Sequence, residues 1–390
     1  MDALNWLDDV LADLDRRLLR RHLAVREGAQ RGDEIVLGGQ RLVNFGSNDY
    51  LGLAACEELR EAAVGAVTSH GCGSGASPLV SGRGELHAQL ERELAQWENA
   101  EAALLFSSGY AANVGTIAAL VAKDDAVFSD ELNHASIIDG CRLSDAQVHV
   151  YRHRDTTHLK SLLGSTARVR RKLIVSDTLF SMGGDLAPLE ALNALAREHE
   201  AMLMVDEAHA TGVFGRQGRG VCEHLGAEDG VHVRVGTLSK ALGSSGGFVV
   251  GSQKLIDWLS NRARTYVYST AMPEASAAAA LAALAIVRTQ PQRRREVLKL
   301  AADLREQLRA SGLEVGPSDS QIVPVILGDP ERTMRAAAEL RRRGFLVPGI
   351  RPPSVPAGQA LLRISVTWLH TSEQIDALAR ALVETIRGLP

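Results

Sequence analysis

The chain has 390 residues, 45% hydrophobic and 23% charged, a balance that excludes a disordered chain and fits two or three globular domains. Its 43 basic and 47 acidic residues leave a net charge of −4, so no broad field draws it to nucleic acid or to an anionic membrane. Aromatic residues, at 4%, are too few for a base-stacking platform. In chain order, Leu4, Leu7, Leu11, Leu14 and Leu18 predict one face of an amphipathic helix. It runs into Arg16, Arg17, Arg20 and Arg21, which read either as a solvated helix end favoured by the dipole or as a grip on an anionic ligand.

Apolar runs then alternate with helical stretches. The expected strands are Ala103–Phe106, Ala126–Phe128, Val148–Tyr151, Leu173–Val175, Ala201–Val205, Val231–Val235 and Phe248–Val250. Helices are expected over Leu59–Val67, Glu85–Glu98, Ala111–Ala122, Pro188–Glu200 and Gln253–Ala263. Such alternation implies an α/β fold with a mostly parallel central sheet flanked by helices. Beyond residue 275 the order changes: helices about 274–289 and 294–311, strand Ile322–Ile326, helix 331–343, strand Phe345–Val347, a Pro-rich stretch, strand Leu361–Val366 and a closing helix from Ser372. This predicts an N-terminal helical arm (1–45), a large domain (46–275) and a smaller α+β C-terminal domain (276–390). No run reaches the ~18 apolar residues of a membrane span; Ala275 to Val287 reads as a buried helix. The start of the chain carries no readable secretory signal. The four widely spaced cysteines, Cys56, Cys72, Cys141 and Cys222, argue against a zinc site or a disulfide framework, and a cytoplasmic protein without metal is expected.

Three familiar patterns fail on context. Met202 to His209 has a strand followed by Asp-Glu-Ala-His, but no lysine follows a glycine, so no phosphate loop accompanies it. Gly243-Ser244-Ser245-Gly246-Gly247 fits a nucleophile elbow but precedes a strand instead of following one. Gly71-Cys72-Gly73-Ser74-Gly75-Ala76 fits a dinucleotide fingerprint but follows a predicted helix.

The chain uses lysine only at positions 123, 160, 172, 240, 254 and 299. Where a bare positive charge suffices it uses arginine, so a lysine in an unusual setting is there for its amine, which can form a Schiff base. Lys240 lies just past a strand, after Thr237 and Ser239 and before Ala241 to Gly247. It reads as a surface lysine in a turn or as the anchor of a cofactor aldehyde. Asp206 ends a buried strand and needs a cationic partner. His209 stands three residues on, as a satisfied loop histidine or a donor to a ring oxygen. Gly109 and Tyr110, after Ser108, open a helix whose amides can cradle phosphate. His134 follows another strand and reads as a cap or as a ring that stacks. Together these are the parts pyridoxal phosphate requires.

The chain resembles the α-oxoamine synthases of the fold-type I pyridoxal-phosphate enzymes over nearly its whole length. The resemblance runs through Asn44 to Leu53, the glycine loop from Gly71, Ser107 to Tyr110, Asn133 to Ser136, Phe180 to Asp185, Asp206 to Gly212, Thr237 to Lys240 and Ile350 to Gly358. It implies that Lys240, His134 and Asp206 are catalytic: Lys240 holds the cofactor and moves the α-proton, Asp206 keeps the ring nitrogen protonated, and His134 stacks on the ring and meets substrate. It places Ser181 and His209 at the ring oxygen, and Gly109, Tyr110 and Thr237 on the phosphate side. Arg363 would grip the amino-acid carboxylate, Asn48 and Ser354 would lie on the substrate side, and Arg20, or Arg21 if the alignment slips by one, would face the thioester. At Ser354 the family pattern has Thr, a change that keeps the hydroxyl. The branch most resembled condenses L-alanine with a pimeloyl thioester, carried on CoA or an acyl carrier protein (ACP), in biotin synthesis. Glycine-using relatives such as 2-amino-3-ketobutyrate CoA ligase are the alternative. A homodimer is implied, with Ser269 and Thr270 reaching the phosphate of the neighbouring chain.

Overall fold

The structure is a computed structural model that describes residues 2–17, 19–21, 23–166 and 168–389. The chain divides into two compact units: Asn48–Ser181 with Asp185–Val297, and Met1–Ser47 with Met182–Gly184 and Leu298–Pro390.

The larger unit is built on a seven-stranded sheet. In chain order its strands are β1 (Ala102–Phe106), β2 (Ala126–Asp130), β3 (Gln147–Tyr151), β4 (Lys172–Asp177), β5 (Met202–Asp206), β6 (Val233–Thr237) and β7 (Gly247–Gly251). The spatial order is β1-β7-β6-β5-β4-β2-β3, with β7 antiparallel to both of its neighbours and the rest running one way. Each expected strand is present. β6 starts two residues later than its apolar run, because a 3₁₀ turn at Glu228–Gly230 takes up the approach. The continuous apolar character of β4 and β5 follows from burial on both faces: Leu173, Ile174, Leu203, Met204 and Val205 are fully buried. The helix Gly109–Leu120 is apolar around most of its circumference and is itself packed into this core, through Ala112, Ile117 and Leu120.

The helix Glu57–His70 runs directly into Gly71, so the glycine loop has no strand before it. Helices Ala135–Leu143 and Thr156–Ser165 were not among the expected ones; both are short, and their polar residues interrupt the apolar period.

In the smaller unit, Glu34–Leu37 and Gln40–Asn44 form a hairpin. Its turn, Gly38-Gly39, has φ of 59° and 74°, a left-handed pair that favours glycine. Phe345–Leu346 adds in parallel to that hairpin, and Ile322–Gly328, Ala360–Ser365 and Gly349–Ile350 make a second sheet. The first helix spans Trp6–Arg16, so Leu4 precedes it, and Leu18 lies outside the described residues. Leu7, Leu11 and Leu14 are half-buried, while Leu4 and Trp6 are exposed. Among the described residues no helix is long and apolar enough to cross a membrane.

Glu207 shows why the Asp-Glu-Ala-His pattern occurs here without a nucleotide site. Its buried carboxylate accepts the Val221 and Cys222 N–H groups at 2.9 and 2.8 Å and the Thr178 hydroxyl at 2.6 Å. It is an internal cap, tying the loop after β5 to the helix Val221–His224. Glu207→Ala is expected to lower stability by about 3 kcal/mol, because three buried donors lose their acceptor. Urea unfolding with an unchanged slope checks this, and Glu207→Gln is expected to lose less.

Candidate active site

The C-terminal ends of β4, β5 and β6 and the loop after β2 bring together Asp177, Asp206, Thr237, Lys240 and His134 in the larger unit. This is where an open parallel sheet places its ligands. Asp177 and Asp206 are register partners on adjacent strands, and both are buried. Asp206 Oδ2 accepts Asn113 Nδ2 at 2.6 Å and Oδ1 accepts the Ala208 N–H at 2.7 Å. Asp177 Oδ2 accepts the His134 N–H at 2.7 Å. Burial, and then the neighbouring Asp206 charge, hold the Asp177 carboxyl well above the usual range, against the opposing pull of the His134 N–H and the Lys240 ammonium.

His134 opens the helix Ala135–Leu143. Its Nδ1 lies 2.7 Å from Ser136 Oγ, which accepts Asn113 Nδ2 at 2.9 Å. Asn113 therefore donates to both Ser136 and Asp206, and a continuous chain of hydrogen bonds links the histidine ring to the buried carboxylate. The backbone and ring of His134 are fixed from two directions while its side chain stays exposed. Crowding around the ring keeps its pKa below the ordinary histidine value; Asp206 opposes this and Lys240 adds to it. The ring is thus set up as a neutral, accessible face, which suits stacking better than charge pairing.

Lys240 sits half-buried on a loop closed by Leu238 N–H to Gly246 O (3.0 Å), Ser244 N–H to Leu238 O (2.8 Å) and Gly243 N–H to Lys240 O (3.0 Å). Thr237 Oγ1 lies 2.8 Å from Ser239 Oγ. The helix Gly109–Leu120 begins beside it: a Cβ built on Gly109 would lie 3.6 Å from Thr237 Oγ1. Ser108 Oγ accepts the Ala111 N–H and Ser108 O the Ala112 N–H. These two bonds leave the Gly109 and Tyr110 amides at the helix start, a place suited to an anion, beside Ser239 and beside Thr237, whose hydroxyl donates to Gly246 O at 3.0 Å. Tyr110 itself is exposed, its hydroxyl donating to Asp139. A phosphate at this helix end and a protonated ring nitrogen at Asp206 fit the donor set, so the residues present fit pyridoxal phosphate.

His209 is buried, with Nδ1 2.7 Å from the Tyr50 hydroxyl, which also lies 3.1 Å from Asn48 Oδ1. Asn48 is thereby joined to the loop after β5. Ser181 lies in the loop after β4, half-buried.

Arg20, Ser354 and Arg363 belong to the smaller unit. Arg363 is buried on Ala360–Ser365 and donates to Ser365 Oγ at 2.9 Å. Arg21 donates to Ser354 Oγ at 3.0 Å, and Arg20 pairs with Asp15 at 2.7 Å. The sequence reading missed Asn113, Ser136, Asp177 and Tyr50. Asp177 ends a buried strand as Asp206 does, and that signal could have found it. Tyr50 and Ser136 lie inside stretches that carry the family resemblance, and Asn113 has no local signal.

The family model for class I and II aminotransferases matches residues 40–382. An 8-amino-7-oxononanoate synthase of Anaeromyxobacter dehalogenans is 50% identical over 388 residues, covering 100% of this chain and 97% of that one. Among solved structures, a serine palmitoyltransferase of S. paucimobilis with bound PLP and myriocin superposes with a TM-score of 0.94 at 32% identity, over 99% of each chain. An 8-amino-7-oxononanoate synthase of Francisella tularensis gives 0.78 at 28% identity, over 89% of this chain and 98% of that one.

The cradle leaves no room for a side chain on its far wall: a Cβ on Gly247 would lie 2.5 Å from the Gly109 nitrogen. Gly247→Ala is expected to push the helix start away from Thr237 and weaken binding of free pyridoxal phosphate at least tenfold, about the worth of one charge-assisted hydrogen bond. Absorbance titration of the cofactor-free protein measures it.

Proposed function

We infer the activity from one premise: the chain belongs to the class I and II aminotransferase family. Within that family it is a pyridoxal-phosphate-dependent acyltransferase, an 8-amino-7-oxononanoate synthase that condenses L-alanine with a pimeloyl thioester and releases carbon dioxide. The observation that carries this reading is the assembly of Lys240, Asp206 and His134 beside a phosphate cradle, in a chain half identical over its full length to a synthase of that name.

The bound cofactor supplies an electron sink for the negative charge left at the alanine α-carbon. Lys240 Nζ would hold the cofactor, and as a free amine it would take the α-proton. Three backbone hydrogen bonds close its loop, and a placed base contributes about 10²–10⁴-fold. Asp206 holds a proton on the ring nitrogen, and Asn113 and the Ala208 amide keep its two oxygens oriented for that task. His134 covers the ring and meets substrate. His209 and Ser181 donate toward the ring oxygen, with His209 held by Tyr50. Arg363 binds the alanine carboxylate, Asn48 and Ser354 line the substrate side, and Arg20 faces the thioester, whose pimeloyl group is delivered on CoA or ACP.

The protein acts in the cytoplasm as a homodimer. Exposed Leu79, Val80 and Tyr268 support a subunit contact in the larger unit, and Ser269 and Thr270 complete the phosphate site of the neighbouring chain.

Borohydride treatment of the yellow holoenzyme is expected to fix the cofactor on Lys240 alone, read by peptide mapping; a label on any other lysine overturns the assignment. Arg363→Ala is expected to raise the KM for alanine about a hundredfold while leaving that for the thioester within a few-fold, since a bidentate guanidinium–carboxylate contact is lost. Equal effects on both substrates would make Arg363 structural. Turnover with glycine exceeding that with alanine would favour the glycine-using branch.

A further inference from the structure

A histidine outside the family motifs occupies an unusual position. His153 follows β3, and its imidazole lies between two carboxylates: Nδ1 is 2.9 Å from Asp130 Oδ1 and Nε2 is 2.8 Å from Asp185 Oδ2. The side chains of Asp130 and Asp185 are 1% and 3% exposed. A neutral imidazole has one N–H, so it can donate to only one of these oxygens; with both carboxylates ionised, both bonds require the imidazolium. The ring also stands edge-on to Phe180, with centroids 4.4 Å apart.

The two carboxylates belong to different loops. Asp130 ends β2 and opens the loop that carries His134: its Oδ1 accepts the Leu132 N–H and its carbonyl accepts the Asn133 N–H. Asp185 closes the loop that carries Ser181: its carbonyl accepts the Phe180 N–H, and Leu179 and Leu186 form a bridge behind it. The other charged groups around the ring are Glu131, whose Oε1 accepts the His153 N–H at 2.8 Å, and Arg154, whose N–H and guanidinium reach Asp130 and Asp185.

We propose that His153 is a positioning residue: as an imidazolium shared by Asp130 and Asp185 it locks the His134 loop to the Ser181 loop and so sets the stacking ring and the hydroxyl against the cofactor. This rests on the reading of His134 and Ser181 as cofactor contacts. Burial would lower the His153 pKa, but the hydrogen bonds to Asp130 and Asp185 outweigh it and push it up to about 9, from an ordinary value of 6.5. A raised histidine pKa stabilises the fold fully below the ordinary value, and that stabilisation is lost as pH rises through about 9. Cofactor binding is therefore expected to loosen over the same range.

The test uses the cofactor-free and loaded full chain. In the cofactor-free protein at pH 7.5, nitrogen NMR is expected to show both His153 ring nitrogens protonated; a single protonated nitrogen overturns the clamp. His153→Gln keeps one donor and removes the charge. It is expected to fold, to bind pyridoxal phosphate about tenfold more weakly, the worth of one charge-assisted hydrogen bond, and to lose part of the visible circular dichroism of the bound cofactor. Amide exchange over residues 130–134 and 180–185 is expected to speed up even without cofactor. Asp185→Asn, at the other end of the bridge, is expected to reproduce these changes, and it serves alone should His153→Gln fail to fold. Wild-type affinity, dichroism and exchange in a folded variant refute the proposal. Failure of the wild-type protein to bind the cofactor would instead refute the functional reading, while the NMR and exchange results would still judge the clamp.

Discussion

Asp177 and Asp206 end neighbouring parallel strands in register, and both are buried. Two ionised carboxylates so placed repel each other in a medium that screens poorly, so the surroundings must either supply cations or hold one of the pair neutral. The larger unit brings the Lys240 ammonium to bear on Asp177 and still holds that carboxyl toward its neutral form. Asp177 is pushed toward its protonated form and spends its acceptor on the backbone of His134. Asp206 keeps two well-aligned donors, Asn113 and the Ala208 amide, which suits the role proposed for it, partner to a cationic ring nitrogen.

The same constraint explains how the loops are tied. A site that holds a flat cofactor needs a wall on each side, and in the proposed reading those walls would come from loops after different strands. Loops lack the ladder bonds that fix strands, so side chains do the fixing: the His134–Ser136–Asn113 chain, the Tyr50–His209 contact and the double bridge at His153. Each connects residues far apart in sequence.

That distance also marks the limit of what the sequence could disclose. Lys240 was legible because lysine is rare in this chain and its neighbours are small and hydroxylated. Asp206 was legible because a carboxylate at the end of an apolar run needs a reason. The sheet was legible because strands buried on both faces leave long apolar runs, and the helix Glu274–Thr289 because it is rich in alanine and carries no charge between Glu274 and Arg288. Asn113 and Ser136 look like ordinary helix residues, Tyr50 like a core aromatic and His153 like a surface histidine. Their roles exist only once β2, β3, β4 and β5 lie side by side. The hairpin 34–44 went unread for a different reason: its strands are short and half-exposed, and its only strong signal is Gly38-Gly39.

Fold and chemistry here are shared more widely than substrate. The backbone superposes more closely on a serine palmitoyltransferase, at a TM-score of 0.94, than on the Francisella synthase, at 0.78, yet the chain is 50% identical to another synthase and 32% to the palmitoyltransferase. The cofactor chemistry depends on the sheet ends and the helix start, which a superposition measures well. The choice of amino acid does not. Alanine and glycine differ by one methyl group, and a hydrophobic pocket discriminates a methyl by only about 1–3 kcal/mol. A contact of that size is set by a few side chains, and moving them by an ångström changes specificity without disturbing the fold. The sequence identity, which counts those side chains along with the rest, therefore bears more weight on the substrate than the superposition does.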